Sequence, residues 1–286
     1  LLEKAEEGDG GIPCGLIRDY PRYAVRGFAI DIGRKMVSMD TLKQIVLYMS
    51  ENKMNNLGIH LNDNEILSTS GKNDSIANAF TAYAGFRLES ETRNKKGEGI
   101  TSQDGALTKE EWKEFTRWAE EKGINTPAHS LAITRVFPEY ALADEPDNVD
   151  HLDLSKKGTL ELVQNIWKEY LEGEDPVFPE EGVVHIGLDE YYGSGEDFRR
   201  FANEMITMVQ ESGRSVRLWG SLSRVDGKTL VTSDKVQMQI WSTEWADPED
   251  MYEAGFSIIN SLNSSLYIIP GGGYDRLDKE ALRQWE

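Results

Sequence analysis

Short apolar runs alternate with amphipathic helical patterns along most of this chain, and this alternation limits the fold more than any other feature. The helical patterns carry apolar stripes at the spacing of one helix face, as in Leu42, Ile45, Val46 and Met49. Repeated strand–helix units of this kind predict a parallel sheet covered by helices. The predicted strands are 25–32, 57–61, 183–188, 216–219, 236–241 and 257–262.

The number of units favours an α/β fold of the (β/α)8 TIM-barrel type, because 286 residues lie near the ~250 typical of that barrel. A doubly wound open sheet is the alternative. That fold would favour a glycine-rich phosphate loop after its first strand, and neither GxGxxG nor GxxxxGK[ST] occurs. A polar insertion at about 64–107 interrupts the pattern, and we expect a functional or mobile loop there.

Composition excludes several classes of partner and cofactor. The chain has 50 acidic and 31 basic residues, a net charge of −19, which argues against nucleic acid and anionic membranes. It has no apolar run of about 18 residues, so no membrane insertion is expected. A single cysteine, Cys14, and four scattered histidines predict neither a disulfide framework nor a metal site.

Active sites of (β/α) barrels lie at the carboxyl ends of the strands, so the residues that follow each predicted strand are the candidates for chemistry. Carboxylates and aromatic rings gather there, and this combination suits a carbohydrate, since sugar faces pack on indole rings. Breaking a glycosidic bond needs a carboxylic acid that protonates the leaving oxygen. The candidates are Asp31, Asp63, Asp189, Glu190, Trp219, Trp241 and Tyr267.

The adjacent pair Asp189–Glu190 ends one strand, so the two carboxylates cannot face each other across a bond as an ordinary acid and nucleophile. The pair fits a division of labour in which one carboxylate orients a substrate group and the other transfers the proton. A like-charged neighbour and partial burial should raise the pKa of the proton donor.

Several segments together resemble successive blocks of the family 20 glycoside hydrolases, the β-N-acetylhexosaminidases. The blocks come in the family's order and cover about residues 20–286. The segment sequences HLNDNE and LYIIPGGGYD are most similar to those of large cell-surface members from Gram-positive bacteria and of lacto-N-biosidases. The segments are RGFAIDIGRK (26–35), KMNNLGIHLNDNE (53–65), TPAHS (126–130), HLDLS (151–155), HIGLDE (185–190), RLWG (217–220), VQMQIW (236–241) and INSLNSSLYIIPGGGYD (259–275).

The resemblance implies a substrate-assisted mechanism, an exception to the two-carboxylate scheme. The substrate's 2-acetamido oxygen attacks C1, forms an oxazolinium ion and leads to net retention. Asp189 would hold the acetamido N–H and stabilise the positive ring, and Glu190 would be general acid and then general base. Tyr267 would donate a hydrogen bond to the acetamido oxygen.

The resemblance also implies five substrate-binding residues. Trp219 and Trp241 would wall the pocket for the acetyl methyl group. Arg26 would bind hydroxyls of the terminal sugar, which favours exo cleavage. His129 and Asp63 would be supporting polar residues at the rim. No metal and no cofactor is implied.

The sequence therefore predicts a retaining exo-β-N-acetylhexosaminidase that acts on terminal β-linked GlcNAc or GalNAc of glycans. One alternative is a lacto-N-biosidase that releases a disaccharide and needs a roomier pocket around Arg26. The other is a glycan-binding remnant without catalysis. By resemblance alone, we expect an extracellular or cell-wall-attached protein, although no signal or anchor is visible in this chain.

Two departures from the family pattern qualify the predicted domain organisation, in which 1–19 is an extension or linker and 20–286 is the catalytic barrel. Only Ile124 and Asn125 separate Gly123 from Thr126, too few for a barrel strand. Because a barrel cannot lose one strand and still close, we expect about half a dozen residues to be missing between Asn125 and Thr126. We also expect the eighth strand to be absent, which would leave the barrel incomplete at its C-terminus and the acetamido pocket open.

Overall fold

Seven parallel strands form one sheet, in which they lie in the order of the chain, and two further strands form a separate antiparallel pair. The computed structural model describes residues 15–16, 18–68, 71–119, 123–125, 130–180, 182–269 and 280. The strands are β1 (Gly27–Asp31), β2 (Asn56–His60), β3 (Asn62–Asn64), β4 (Ala84–Phe86), β5 (Gly123–Asn125), β6 (Val183–His185), β7 (Ser215–Trp219), β8 (Val236–Ile240) and β9 (Ser257–Asn260).

Helices connect the parallel strands and begin where the sequence supplies capping groups. The Thr108 hydroxyl accepts a hydrogen bond from the Glu111 backbone N–H while the Glu111 carboxylate accepts from the Thr108 N–H, and together these two bonds form a capping box. No described helix is long and apolar enough to cross a membrane. The helices are α1 (Met39–Glu51), α2 (Ile76–Ala79), α3 (Lys109–Ala119), α4 (Leu131–Val136), α5 (Lys157–Leu171), α6 (Gly195–Glu211), α7 (Pro248–Glu253) and α8 (Asn263–Leu266).

The parallel sheet curls around a shared interior. Arg217 of β7 donates to the side-chain oxygens of Gln237 on β8 and, at 2.7 Å, of Asn56 on β2. Two strands lie between β2 and β7, so a flat sheet would hold these strands about 14 Å apart. The contact between Arg217 and Asn56 therefore requires the curvature of a barrel wall.

The structure corrects the expectation that no strand fits between Gly123 and Thr126. Strand β5 has three residues and pairs on both sides, with β2 through Gly58↔Gly123 and with β6 through Asn125↔His185. A strand this short suffices because its neighbours supply hydrogen-bonding partners along both edges. Thr126, and with it the expected missing residues, lies outside the described residues.

Among the described residues, no strand pairs with the outer edge of β1 or of β9, so barrel closure is not seen there. The expected absence of the eighth strand stays a prediction, because residues 270–279 and 281–286 lie outside the described part of the chain.

The insertion at 64–107 is more ordered than we expected. It contributes β4 and α2, and four of its apolar side chains join the main core: Phe86, Leu88, Ile100 and Leu107. Arg87 is completely buried and forms an ion pair with Asp104 at 2.6 Å. The polar composition hid this packing because only a minority of the side chains in the insertion are buried.

Candidate active site

The turn after β6 presents Asp189 and Glu190 at the carboxyl edge of the sheet. Gly187, Leu188 and Glu190 all have positive φ, at 76°, 67° and 36°. For the two non-glycine residues this conformation costs of order 1–3 kcal/mol each, so the surrounding structure must hold the turn in place. Backbone strain concentrated at two adjacent carboxylates is typical of an active site.

The Asp189 carboxylate is fixed by two donors on one of its oxygens. Oδ1 accepts from the indole Nε1 of Trp241 at 2.7 Å and from the Glu190 backbone N–H at 3.0 Å. Among the described residues nothing donates to Oδ2, so Oδ2 is the oxygen available to a ligand. Burial, followed by the neighbouring Glu190 carboxylate, raises the pKa of Asp189 to about 8.

The Glu190 side chain is held through its backbone. The Glu190 carbonyl accepts a hydrogen bond of 2.8 Å from His151 Nε2, and no hydrogen bond within the described residues engages the carboxylate. Burial raises the pKa of Glu190, and the nearby His151 and Arg34 partly offset that rise. A carboxyl group that is unengaged and has a raised pKa is suited to general acid catalysis.

The His151 ring supports the Glu190 backbone beside this carboxyl group. Its two ring nitrogens face acceptors, with the Glu190 carbonyl at Nε2 and the Asp150 carboxylate at Nδ1, 2.7 Å away. Both nitrogens can donate only in the imidazolium form. Burial lowers the pKa of His151, but the hydrogen bond and the charge of Asp150 outweigh burial and raise it. Asn64 donates to the other Asp150 oxygen at 3.0 Å, which completes the support.

Three of the predicted aromatic residues lie at the carboxyl edge of the sheet. Trp219 ends β7, and its ring lies 4.9 Å from that of the buried His185. Trp241 follows β8 and contacts Asp189 through its indole nitrogen. Tyr267 is half-buried after α8, a helix whose first residue, Asn263, donates to the Trp241 carbonyl at 2.8 Å. The structure therefore places Trp219, Trp241 and Tyr267 at the edge that carries Asp189 and Glu190.

Asp63 belongs to an ion-paired cluster at the same rim. Arg34 Nη1 lies 2.7 Å from Asp31 and 2.8 Å from Asp63, so one guanidinium pairs with both carboxylates. His60 contacts the same Asp63 oxygen at 2.6 Å. Asp31, His60 and Asp63 could offer ligand atoms to a metal ion, but the Arg34 guanidinium already bridges their carboxylates. Asp63 has an exposed fraction of only 5%, so it holds Arg34 and His60 in place and is not open to solvent.

The structure does not support the predicted contact between Arg26 and the substrate. Arg26 precedes β1 and therefore lies at the amino end of the sheet, about 16 Å along the strand from Asp31. Its guanidinium donates to the carbonyls of Lys53 and Tyr23, at 2.8 and 2.7 Å. These bonds tie down the chain entering β1. His129, the remaining predicted residue, lies outside the described residues.

Four neighbours of the site escaped prediction as functional residues: His151, Tyr192, Arg224 and Trp245. His151 stands within the HLDLS segment, but no spacing rule connects it to Glu190, 39 residues away. Trp245 lies one helical turn after Trp241, and a core position could not be separated from a site position by sequence. In the structure Trp245 is a core residue and also a neighbour of the site, because it is buried and its ring lies 6.4 Å from that of Trp241.

Comparison with known proteins identifies the family. A family model described as glycosyl hydrolase family 20, catalytic domain, matches residues 23–199. The beta-hexosaminidase of Akkermansia muciniphila is 33% identical over 197 residues, 63% of this chain and 37% of that protein. The lacto-N-biosidase of Bifidobacterium bifidum is 21% identical over 292 residues, 91% of this chain and 23% of that protein. The chain thus spans well under half the length of either relative.

Solved structures give the same picture for the fold. An exo beta-N-acetylglucosaminidase from Vibrio harveyi, in complex with N-acetylglucosamine, superposes with a TM-score of 0.67 at 17% identity, covering 94% of this chain and 47% of that one. The beta-N-acetylhexosaminidase from Bacteroides fragilis gives 0.65 at 21% identity, covering 91% and 55%. At such identities the likeness concerns the fold alone, and it confirms the predicted TIM-barrel class.

Proposed function

This chain belongs to glycosyl hydrolase family 20, and from that premise we propose that it is a retaining exo-β-N-acetylhexosaminidase. It removes terminal β-linked GlcNAc or GalNAc from glycans through an oxazolinium intermediate. The single observation that carries the proposal is the pair of unequal carboxyl groups. One oxygen of Asp189 is fixed by Trp241 and the Glu190 N–H, while the Glu190 carboxyl group is left unengaged by the described residues.

The fixed carboxyl group suits the acetamido group of the substrate. Oδ2 of Asp189 is positioned to accept the acetamido N–H, which turns the acetamido oxygen towards C1. As positive charge develops on the forming ring, an ionised Asp189 stabilises it in a buried site where charges interact strongly. Trp241 holds Asp189 and at the same time offers an indole surface to the acetyl methyl group.

The unengaged carboxyl group suits proton transfer. Glu190 donates its proton to the glycosidic oxygen as the bond to C1 breaks, and the leaving sugar departs as an alcohol. Glu190 then accepts a proton from the water that opens the oxazolinium ring, which restores the acid and retains configuration. Protonated His151 holds the Glu190 backbone throughout. Tyr267 donates to the acetamido oxygen in this proposal.

A lacto-N-biosidase is the second candidate. The relative of that name matches 91% of this chain. The position of Arg26 at the other end of the sheet also removes the main objection, which was that Arg26 would narrow the pocket to one sugar. The glycan-binding remnant is the third candidate. We further propose, on resemblance alone, that the protein acts outside the cell or on the cell wall.

The test is hydrolysis of 4-nitrophenyl N-acetyl-β-D-glucosaminide by this chain, with a thiazoline analogue of the oxazoline as inhibitor. We expect turnover of this glycoside, and we expect the thiazoline to inhibit it competitively. The substitution Glu190→Gln should severely lower turnover of substrates whose leaving group is a sugar. Release of a disaccharide from a lacto-N-tetraose-type substrate, without action on the monosaccharide glycoside, would favour the second candidate. Thiazoline binding without turnover would favour the remnant. The absence of both turnover and thiazoline binding would overturn all three candidates.

A further inference from the structure

Three consecutive loops at the carboxyl edge of the sheet converge on one small cluster outside the proposed acetamido pocket. Tyr192 follows β6, Arg224 follows β7 and Trp245 follows β8. The rings of Tyr192 and Trp245 are nearly perpendicular, at 86°, with centroids 5.8 Å apart. The Arg224 guanidinium lies in the corner between them, 4.4 Å from the Trp245 centroid and 5.9 Å from that of Tyr192.

Arg224 is exposed and pairs with none of the described carboxylates. Within the part of the chain that the structure describes, no hydrogen bond or ion pair engages its guanidinium. Arg200, also exposed, pairs with Glu196 and Asp197. The exposed Arg93 and Arg135 donate to backbone carbonyls. In a chain of net charge −19, an arginine left with aromatic rings alone is unusual. Its five N–H donors remain available to a ligand.

The loop that carries Arg224 is fixed before any ligand binds. The buried Ser221 donates to the Leu188 carbonyl at 3.1 Å, and the Ser223 N–H donates to the Trp245 carbonyl at 3.0 Å. Arg199 of α6 donates to the Leu222 carbonyl at 2.9 Å. A ligand bound by Arg224 therefore does not have to order this loop, which lowers the entropic cost of binding.

The cluster is joined to both proposed catalytic carboxyl groups. The Trp245 ring lies 6.4 Å from that of Trp241, which holds Asp189. The Tyr192 ring lies 5.4 Å from that of His151, which holds Glu190. Tyr192 is 54% exposed, so its ring offers an open apolar face at the outer edge of the site.

We propose that Tyr192 and Arg224, backed by Trp245, form the subsite for the leaving-group sugar. The inference rests on the proposed hydrolase function, in which the sugar released on protonation by Glu190 must lie on the solvent side of that residue. The sugar ring packs on Tyr192. Arg224 binds two adjacent oxygen atoms of that sugar, because a guanidinium fork matches paired acceptors. Such a pair can be a vicinal diol of a neutral sugar or the carboxylate of a uronic acid.

The test compares substrates that share the N-acetylglucosamine part and differ in the leaving group. The substrates are N-acetyl-β-glucosaminyl fluoride, N,N′-diacetylchitobiose and an N-acetyl-β-glucosaminyl glucuronic acid disaccharide. We expect Arg224→Ala to lower kcat/KM for a disaccharide, relative to the fluoride, by about tenfold. Arg224→Lys should recover little, since lysine lacks the fork. The disaccharide whose kcat/KM falls more in Arg224→Ala shows whether Arg224 binds a diol or a carboxylate.

Arg200→Ala is the matched control, because it removes one exposed arginine from the same chain and should leave the ratio of the two activities unchanged. Equal losses on fluoride and disaccharides, or no loss, would overturn the subsite while leaving the hydrolase function intact. If the wild type hydrolyses none of the substrates, the proposed function fails separately. Quenching of tryptophan fluorescence by each disaccharide then tests the subsite, and equal affinity of wild type and Arg224→Ala would overturn it.

Discussion

Asp189 and Glu190 are best treated as a coupled pair that shares one proton over much of the pH range. Burial comes first among the causes that raise both pKa values, and the pKa of Asp189 reaches about 8 because Glu190 adds like charge. The proposed mechanism uses the form in which Glu190 is protonated and Asp189 is ionised. The last proton leaves the pair late, because its departure creates two adjacent negative charges.

At the residue scale, we predict that Asp189→Asn moves the alkaline limb of the kcat/KM profile to lower pH. In the wild type this limb reports loss of the last proton, near the pKa of about 8 that burial and Glu190 give Asp189. In the variant Glu190 loses the adjacent Asp189 carboxylate, while Asp63 and Asp150 still raise its pKa, so its proton leaves at lower pH than in the wild type. We also expect kcat to fall by about 100- to 1,000-fold with a smaller change in KM, since Asp189 acts on developing charge.

The Asp189→Asn variant keeps an oxygen for Trp241, so a general loss of structure is not expected. The profile is measured with an aryl glycoside between about pH 4 and 10, a range that brackets the ordinary carboxyl pKa and the raised one. An alkaline limb that stays in place would show that the titrating proton belongs to another group.

The sequence predicted the residues of this site only as far as each one adjoins a strand end. Trp219 is the last residue of β7, Trp241 directly follows β8, and Asp189 and Glu190 stand in the turn after β6, so the barrel rule was enough to find them. His151 and Arg224 stand on loops, and only the folded chain brings them to their partners. Arg26 was misplaced because the resemblance gave it a role, while its position before β1 sets it at the opposite edge of the sheet.

At the element scale, the contact between the loop after β1 and β4 depends on glycine. A Cβ atom at Gly85 would overlap the carbonyl oxygen of Gly33. Arg87, two residues on, donates at 3.1 Å to the carbonyls of both Ile32 and Gly33. This close backbone approach anchors the 64–107 insertion beside Arg34, which holds Asp63 at the rim.

We therefore predict that Gly85→Ala lowers the free energy of unfolding by about 1–3 kcal/mol, because two backbones must separate. It should also weaken activity by disturbing Arg34. Gly58→Ala in β2 is the control, since its nearest neighbour would be the Ala29 Cβ at an ordinary 3.6 Å. Urea unfolding measures both variants. A Gly85→Ala protein as stable as the control would contradict the role of this contact.

Elements with a clear period were predictable and elements set by their surroundings were not. The stripes of α1 and α6 and the apolar runs of β7 and β8 agree with the sequence to within a few residues. Strand β5 has three residues and exists because β2 and β6 flank it. Strand β4 lies in a segment whose polar composition predicted a loop.

At the scale of the whole molecule, a polar network spans the barrel interior. Arg217 is 3% exposed, and burial lowers its pKa to about 10, so it remains charged at neutral pH. Its donors satisfy Gln237 on one neighbouring strand and Asn56 on a distant one. The network therefore holds opposite parts of the sheet at one separation.

We predict that Arg217→Met destabilises the protein by roughly 2–4 kcal/mol, because the Asn56 and Gln237 oxygens lose their buried donor. The triple variant Arg217→Met, Asn56→Leu, Gln237→Met should recover part of this loss, since an apolar interior leaves no unsatisfied group. Thermal and urea unfolding measure both. A triple variant less stable than the single one would contradict the network as the cause.

The central claim is that the substrate's own acetamido oxygen is the nucleophile, held by Asp189 while Glu190 moves the proton. The most direct test is kcat/KM for 4-nitrophenyl β-glucosaminides that carry acetyl, fluoroacetyl, difluoroacetyl and trifluoroacetyl groups on nitrogen. Each fluorine withdraws electrons from the carbonyl oxygen, so we predict a steep fall along the series. A rate that does not change with fluorination would contradict the account, because the nucleophile would then belong to the protein or to water.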